Sequence, residues 1–113
     1  MAVAAAAVNV FKTITETVGT STVGIYTAPV GYTGVILLSQ VTNTGSTTQT
    51  ISFGYRRNST DTEIVKDLAI PASDTANLLP GKLVVETGET LTIVGSNATD
   101  LQYISSILET SNL

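Results

Sequence analysis

Hydrolysis and group transfer need an activated nucleophile, or a pair of titratable groups held close together. The sequence of 113 residues has no His and no Cys, so neither a Ser-His-Asp nor a Cys-His arrangement can be built from it. A Ser-Lys dyad needs an oriented pair, and no Ser-x-x-Lys occurs. Two acidic pairs remain, Asp61 with Glu63 and Glu86 with Glu89. Glycoside hydrolysis needs two carboxylates converging in a cleft. Both pairs sit beside turn residues, where solvated acids are ordinary. The same acids could ligate Ca²⁺, but no Asp-x-Asp-x-Asp-Gly loop is present. The sequence therefore predicts no catalytic residues, no metal site and no cofactor.

The basic side chains carry a different chemistry. There are five, Lys12, Arg56, Arg57, Lys66 and Lys82, against nine acids, for a net charge of −4. Five scattered cations make no nucleic-acid footprint. The adjacent pair Arg56-Arg57 follows Tyr55, and Tyr26 and Tyr32 could join them in space. Such a cluster can stack bases or sugars. The reading preferred here is that the Arg pair bridges carboxylates on a neighbouring subunit. Gly31-Tyr32-Thr33-Gly34 lacks the Gly-Lys-Ser/Thr ending of a phosphate loop and leads into a strand, so it reads as a turn. Asn58-Ser59-Thr60 and Asn97-Ala98-Thr99 match the glycosylation sequon, a match that arises readily by chance in a Thr-rich chain.

The elements that position these residues read as strands. Val8, Val10, Ile14 and Val18 share one parity, with Lys12 and Glu16 between them, while Phe11 faces the other way with Thr13, Thr15 and Thr17. Such alternation marks a half-wet strand. Val23 to Tyr26 begins a second strand, ended at Ala28-Pro29. The run from Val35 to Val41 is the most apolar in the chain and predicts a central strand buried on both faces, Leu37 included. Asn43-Thr44-Gly45-Ser46 is a turn signal, and Thr47 to Arg57 alternates after it, so the two strands read as a hairpin. Asn58 to Asp61 reads as polar loop. Shorter strands follow at 63–70, 76–79, 83–86, 91–94 and 101–108, punctuated by Pro71, Pro80-Gly81, Gly88 and Gly95-Ser96-Asn97. Eight or nine short strands without helices between them predict an all-β chain, a single β-sandwich of jelly-roll or immunoglobulin-like form. Residues 1–10 are expected to be an extended N-terminal arm, and 11–113 the sandwich domain.

Charged residues are 12% of the sequence, about half the usual share, and the mean hydropathy is +0.31. Twenty Thr and ten Ser supply β propensity and hydroxyls without charge. Low charge with high apolarity predicts a surface partly covered by neighbouring subunits. The Ala-rich start has no basic region and a short apolar run, so it fits a signal peptide poorly, and no run reaches the length of a membrane span. The absence of Cys agrees with cytosolic synthesis.

From Tyr26 to Glu109 the chain resembles the small virion structural proteins of tailed bacteriophages, particularly those of aquatic bacteria. The resemblance is carried by Tyr26-Thr27-Ala28-Pro29-Val30-Gly31-Tyr32-Thr33, Val41-Thr42-Asn43-Thr44, Val65-Lys66-Asp67-Leu68-Ala69-Ile70-Pro71, Leu83-Val84-Val85-Glu86-Thr87-Gly88-Glu89-Thr90-Leu91 and Ile104-Ser105-Ser106-Ile107-Leu108-Glu109. It implies a non-catalytic virion component made in the host cytoplasm and present in many copies. The leading expectation is a capsid decoration or cement protein packing on the major capsid protein or other virion subunits. It would be a homo-oligomer, trimer or dimer, without nucleic-acid or membrane contacts. A neck, tail or fibre-attachment part is the alternative, and a glycan-binding sandwich a second one. The expected interface residues are Val3, Val8, Phe11, Tyr32, Arg56 and Arg57.

Overall fold

The computed structural model describes residues 8–112. Nine strands follow one another: β1 (Asn9–Thr17), β2 (Val23–Thr27), β3 (Tyr32–Asn43), β4 (Gln49–Arg57), β5 (Thr60–Ile70), β6 (Thr75–Asn77), β7 (Leu83–Val85), β8 (Thr90–Gly95) and β9 (Leu101–Ser111). They form two antiparallel sheets. The first runs β1-β9-β3-β6, with β7 on the same edge of β3 as β6, and the second runs β2-β8-β4-β5.

One rule generates this order. β1 pairs β9, β2 pairs β8, β3 pairs β6 and β7, and β4 pairs β5, the first strand with the last and so on inward. That is a single long nested hairpin. Two further ladders, β3 with β9 and β4 with β8, roll it into a pair of facing sheets. The result is a jelly roll. The expected β-sandwich is therefore found, in the jelly-roll form and not the immunoglobulin-like one.

The inner faces meet in a core that includes Ile36, Val41, Ile51, Phe53, Leu91 and Ile107, all essentially without exposed surface. Alternation predicts much of it: Ile51, Phe53 and Tyr55 face inward on β4, and Leu101, Tyr103 and Ile107 do so on β9. The Phe53 and Tyr103 rings join the two sheets, with centroids 6.0 Å apart.

Three expectations fail. The hairpin across Asn43-Thr44-Gly45-Ser46 is not formed, because β3 and β4 lie in different sheets. Both edges of β3 are taken, one by β9 and the other by β6 and β7. The buried Asn43 carboxamide holds the corner instead. Its Nδ2 donates to the Thr47 carbonyl (2.8 Å) and the Ile70 carbonyl (2.9 Å), and its Oδ1 accepts from the Gly45 amide (2.9 Å). These bonds satisfy backbone groups that a crossing between sheets leaves without ladder partners.

The second failure is Leu37. Ile36 opposes Ile107 and Leu38 opposes Ser106, so Leu37 is the extra residue of a β-bulge. Inward parity passes from Gly34 and Ile36 before the bulge to Ser39, Val41 and Asn43 after it. Leu37 and Leu38 are both left 38% exposed on the outer face. The apolar run is not a strand buried on both faces.

The polar loop expected at 58–61 is a two-residue turn. Asn58 and Ser59 have φ of 50° and 64°, the left-handed pair that a type I′ hairpin requires. β5 accordingly begins at Thr60.

Candidate subunit interface

At one end of the roll, two turns lie side by side. Pro29-Val30-Gly31 closes with the Tyr32 amide on the Pro29 carbonyl (3.0 Å), and Glu86-Thr87-Gly88 with the Glu89 amide on the Glu86 carbonyl (3.0 Å). Gly31 and Gly88 have φ of 83° and 81°, which a type II turn demands at its third position and glycine alone adopts without strain. The turns are stitched together by the Gly88 amide on the Ala28 carbonyl (2.9 Å) and the Ala28 amide on the Glu89 carbonyl (3.2 Å).

This pairing fixes two carboxylates beside the last residue of β4. Arg57 Nε donates to Glu89, and Nη2 donates to Glu86 Oε2 (2.5 Å) and Glu89 Oε1 (2.9 Å). The guanidinium lies 5.6 Å from the centroid of the Tyr55 ring. The Tyr55 hydroxyl donates to Glu89 and accepts from the Glu86 amide (3.1 Å). Arg56 makes a two-pronged bond to Asp61 across the hairpin, Nε at 2.6 Å and Nη2 at 3.1 Å. Hydrogen bonds from Arg57 and Tyr55 hold the Glu89 carboxyl below its ordinary range, and Arg56 does the same for Asp61. The Arg pair thus bridges carboxylates of its own chain. Its electrostatic reach is largely spent inside the molecule.

The acids do not assemble a reacting centre. Asp61 is held by Arg56 while Glu63 is exposed, and Glu86 and Glu89 share one guanidinium. Among the described residues no three His, Cys, Asp or Glu side chains come together as metal ligands would.

A buried polar group went unnoticed in the sequence. Glu109 continues the inward parity of Leu101, Tyr103 and Ile107 on β9, and its side chain is only 4% exposed. It accepts from the Tyr26 hydroxyl (2.8 Å) and pairs with Lys12 Nζ (3.0 Å) at the β1 edge. The Tyr26 ring fills the space over Gly34, where an added Cβ would fall within 2.4 Å of its hydroxyl. Tyr26 is therefore committed to the interior, not to an aromatic cluster with the Arg pair. Parity on β9, extended two residues beyond Ile107, was the signal.

The remaining candidates lie on or beside the first sheet. Val3 falls outside the described residues. Asn9 and Val10, counted with the arm, open β1 opposite Thr110 and Glu109. Val8 is exposed just before it, its amide on Ser111 Oγ (3.1 Å). Tyr32 is half-buried opposite Ser111 on the other side of β9. Phe11 is 74% exposed on the outer face. It starts a row that sequence reading did not assemble: Phe11 opposes Leu108, Leu108 opposes Val35, and Val35 opposes Val84. The buried residues on either side of Leu108 and Val35 put this row outward.

No protein-family model matches the sequence, and no curated protein does. Two solved structures share its fold over nearly the full length. One is a chain from Bacillus endospore appendages, described as a novel family of disulfide-linked pili. It is 18% identical, covering 100% of this chain and 97% of that chain, with a TM-score of 0.56. The other comes from the acidic stable capsid structure of Helicobacter pylori bacteriophage KHP30. It is 13% identical, covering 91% of this chain and 87% of that chain, with a TM-score of 0.55. At such identities the likeness is one of fold. Having no Cys, this chain cannot form the disulfide links of the appendage proteins.

Proposed function

We propose that this chain is a non-catalytic structural subunit of a phage virion, a decoration or cement protein that packs on the major capsid protein. The observation that carries the reading is the outer face of the first sheet. Every outward position on β1, β9, β3, β6 and β7 is apolar or uncharged polar, although the chain has five basic and nine acidic side chains. The outer side of the second sheet, by contrast, carries Arg56, Asp61, Glu63 and Lys66. Depletion of charge with retained apolar area marks the centre of protein interfaces. The fold shared with a chain from a phage capsid structure supports the same reading.

Repeated over a lattice, modest contacts from many subunits give avidity without covalent linkage. The arm is proposed to add to them through Val3 and Val8. Removing residues 1–8 leaves a folded sandwich that binds particles more weakly. Copy number in purified particles, by quantitative mass spectrometry against the major capsid protein, tests the whole reading. Hundreds of copies in simple ratio to capsid subunits support it, and absence from particles refutes it. A few tens of copies would favour a neck, tail or fibre part, a second reading supported by the fold shared with an appendage protein. Glycan binding has less support. Of six aromatics, Tyr26, Phe53 and Tyr103 are buried, Tyr32 and Tyr55 are half-buried, and Phe11 alone is exposed.

A further inference from the structure

The uncharged outer face must meet something, and its layout restricts what. We infer that its occupant is a second copy of this chain, packed face to face about a two-fold axis lying in the interface, parallel to the strands. The inference rests on the reading of this face as a packing surface, and it adds the partner and the geometry.

Three observations lead there. First, a face without charge has no sign to match, so it is complementary to itself. A two-fold dimer brings the same patch of each subunit together, and an uncharged patch meets that demand. Second, the area comes near what a dimer needs. Four strands at about 4.8 Å spacing and about ten residues of length give a face of roughly 600–700 Å². That approaches the roughly 800 Å² each partner buries in a standard stable interface. Third, the apolar row is ordered so that this rotation superimposes it on itself. It runs Phe11, Leu108, Val35, Val84 from the β1 edge to the β7 edge. A two-fold parallel to the strands reverses left and right but leaves height along the strands unchanged. Phe11 of one copy then meets Val84 of the other, and Leu108 meets Val35. Phe11 and Val84 are the most exposed members of the row, at 74% and 53%, so they gain most from being covered. Leu37 and Leu38, turned out by the bulge, enlarge the same patch. Aligned packing of two twisted sheets accommodates this geometry.

The absence of native Cys makes a clean test possible, because any thiol cross-link must come from introduced residues. Facing positions of two packed sheets lie about 10 Å apart, beyond the roughly 7 Å between Cα atoms that a disulfide allows, and like positions at opposite edges are separated by a further three strand spacings, about 14 Å, across the sheet. A 1:1 mixture of F11C and V84C chains should therefore be joined into a covalent dimer by a bis-maleimide of about 10 Å span, while F11C or V84C alone should not, since like positions lie at opposite edges. Sedimentation equilibrium should find the unmodified full chain dimeric, and F11D should weaken association by about tenfold or more. Phe11 is exposed, so F11D should keep the circular dichroism and unfolding midpoint of the parent.

A monomeric parent, a mixture of F11C and V84C that is not cross-linked, or cross-linking by F11C alone would each overturn the inference. A monomeric chain abundant in particles would mean that another virion subunit covers this face; the virion reading would stand and the dimer would fall. A dimer absent from particles would do the reverse.

Discussion

At the scale of single residues, the buried Lys12–Glu109–Tyr26 contact is the most demanding feature. A carboxylate 4% exposed is tolerated because both oxygens are engaged. Tyr26→Phe removes one donor and should cost about 1.5–3 kcal/mol, the range for a hydrogen bond to a charged group. Chemical denaturation measures it, and a loss within error would show that water replaces the hydroxyl. The contact also has a pH signature. Burial, and then Glu109, raise the Tyr26 hydroxyl above the ordinary 10.0. Burial likewise raises Tyr103, and burial with Glu89 raises Tyr55. For each of these acids the folded state holds its proton more tightly than the unfolded one. Their contribution is fully present below pH 10 and is lost as pH rises beyond it. Unfolding midpoints should therefore be level from neutrality towards pH 10 and then fall. In Tyr26→Phe the fall should be shallower, and an equal slope in the variant would assign it elsewhere.

At the scale of elements, the bulge in β3 makes neighbouring residues behave oppositely. Leu37→Asp places a charge where 38% of the side chain already meets water. It should change the folding free energy by about 1 kcal/mol or less, as surface substitutions do. Ile36→Ala, one residue away, empties fully buried space and should cost about 2–5 kcal/mol. Urea titration of the two variants separates them. If Leu37→Asp proved the worse, the bulge would be misplaced. The corner after β3 depends on Asn43 in a similarly local way. Asn43→Ala strands the buried Ile70 carbonyl and frees the part-buried Thr47 carbonyl and Gly45 amide, and should cost about 1–3 kcal/mol by the same titration. A neutral substitution would mean that the corner is held by its remaining backbone bonds, Asn43 N to Asp74 O and Thr44 N to Asp100 O.

For the whole molecule, the nested hairpin sets folding kinetics. Its closing ladder joins Asn9 to Thr110, the two ends of the described chain. Contacts so distant in sequence cost loop entropy before they return stabilisation, and such topologies fold in about milliseconds to seconds. Stopped-flow refolding followed by Tyr fluorescence should find that range. Microsecond refolding would contradict closure by the terminal strands. The distribution of charge also belongs to this scale. Fourteen charged residues sort themselves away from one sheet face only once the strands are paired, with Arg56, Arg57 and Lys12 neutralised within the chain.

Strand content, the two-sheet sandwich and most of the core were legible in the sequence, because side-chain alternation with period two is a local property of each strand. Val10 and Ile14 on β1 and Val18 just after it, Ile51 and Phe53 on β4, and Leu101, Tyr103 and Ile107 on β9 all lie on the faces their spacing indicates. The absence of His and Cys likewise excludes two classes of nucleophilic chemistry without any coordinates. Pairing was not legible. Which strand lies beside which depends on residues up to a hundred positions apart, and a turn signal such as Asn43-Thr44-Gly45-Ser46 looks alike whether it closes a hairpin or crosses between sheets. The bulge at Leu37 is invisible for the same reason, since an extra residue exists only relative to a partner strand. The row from Phe11 to Val84, the Arg57 carboxylate clamp and the buried Glu109 are each assembled from separate strands. Only the tertiary structure brings them together, because cross-strand register is set by the packing of the whole roll and not by any one of its segments.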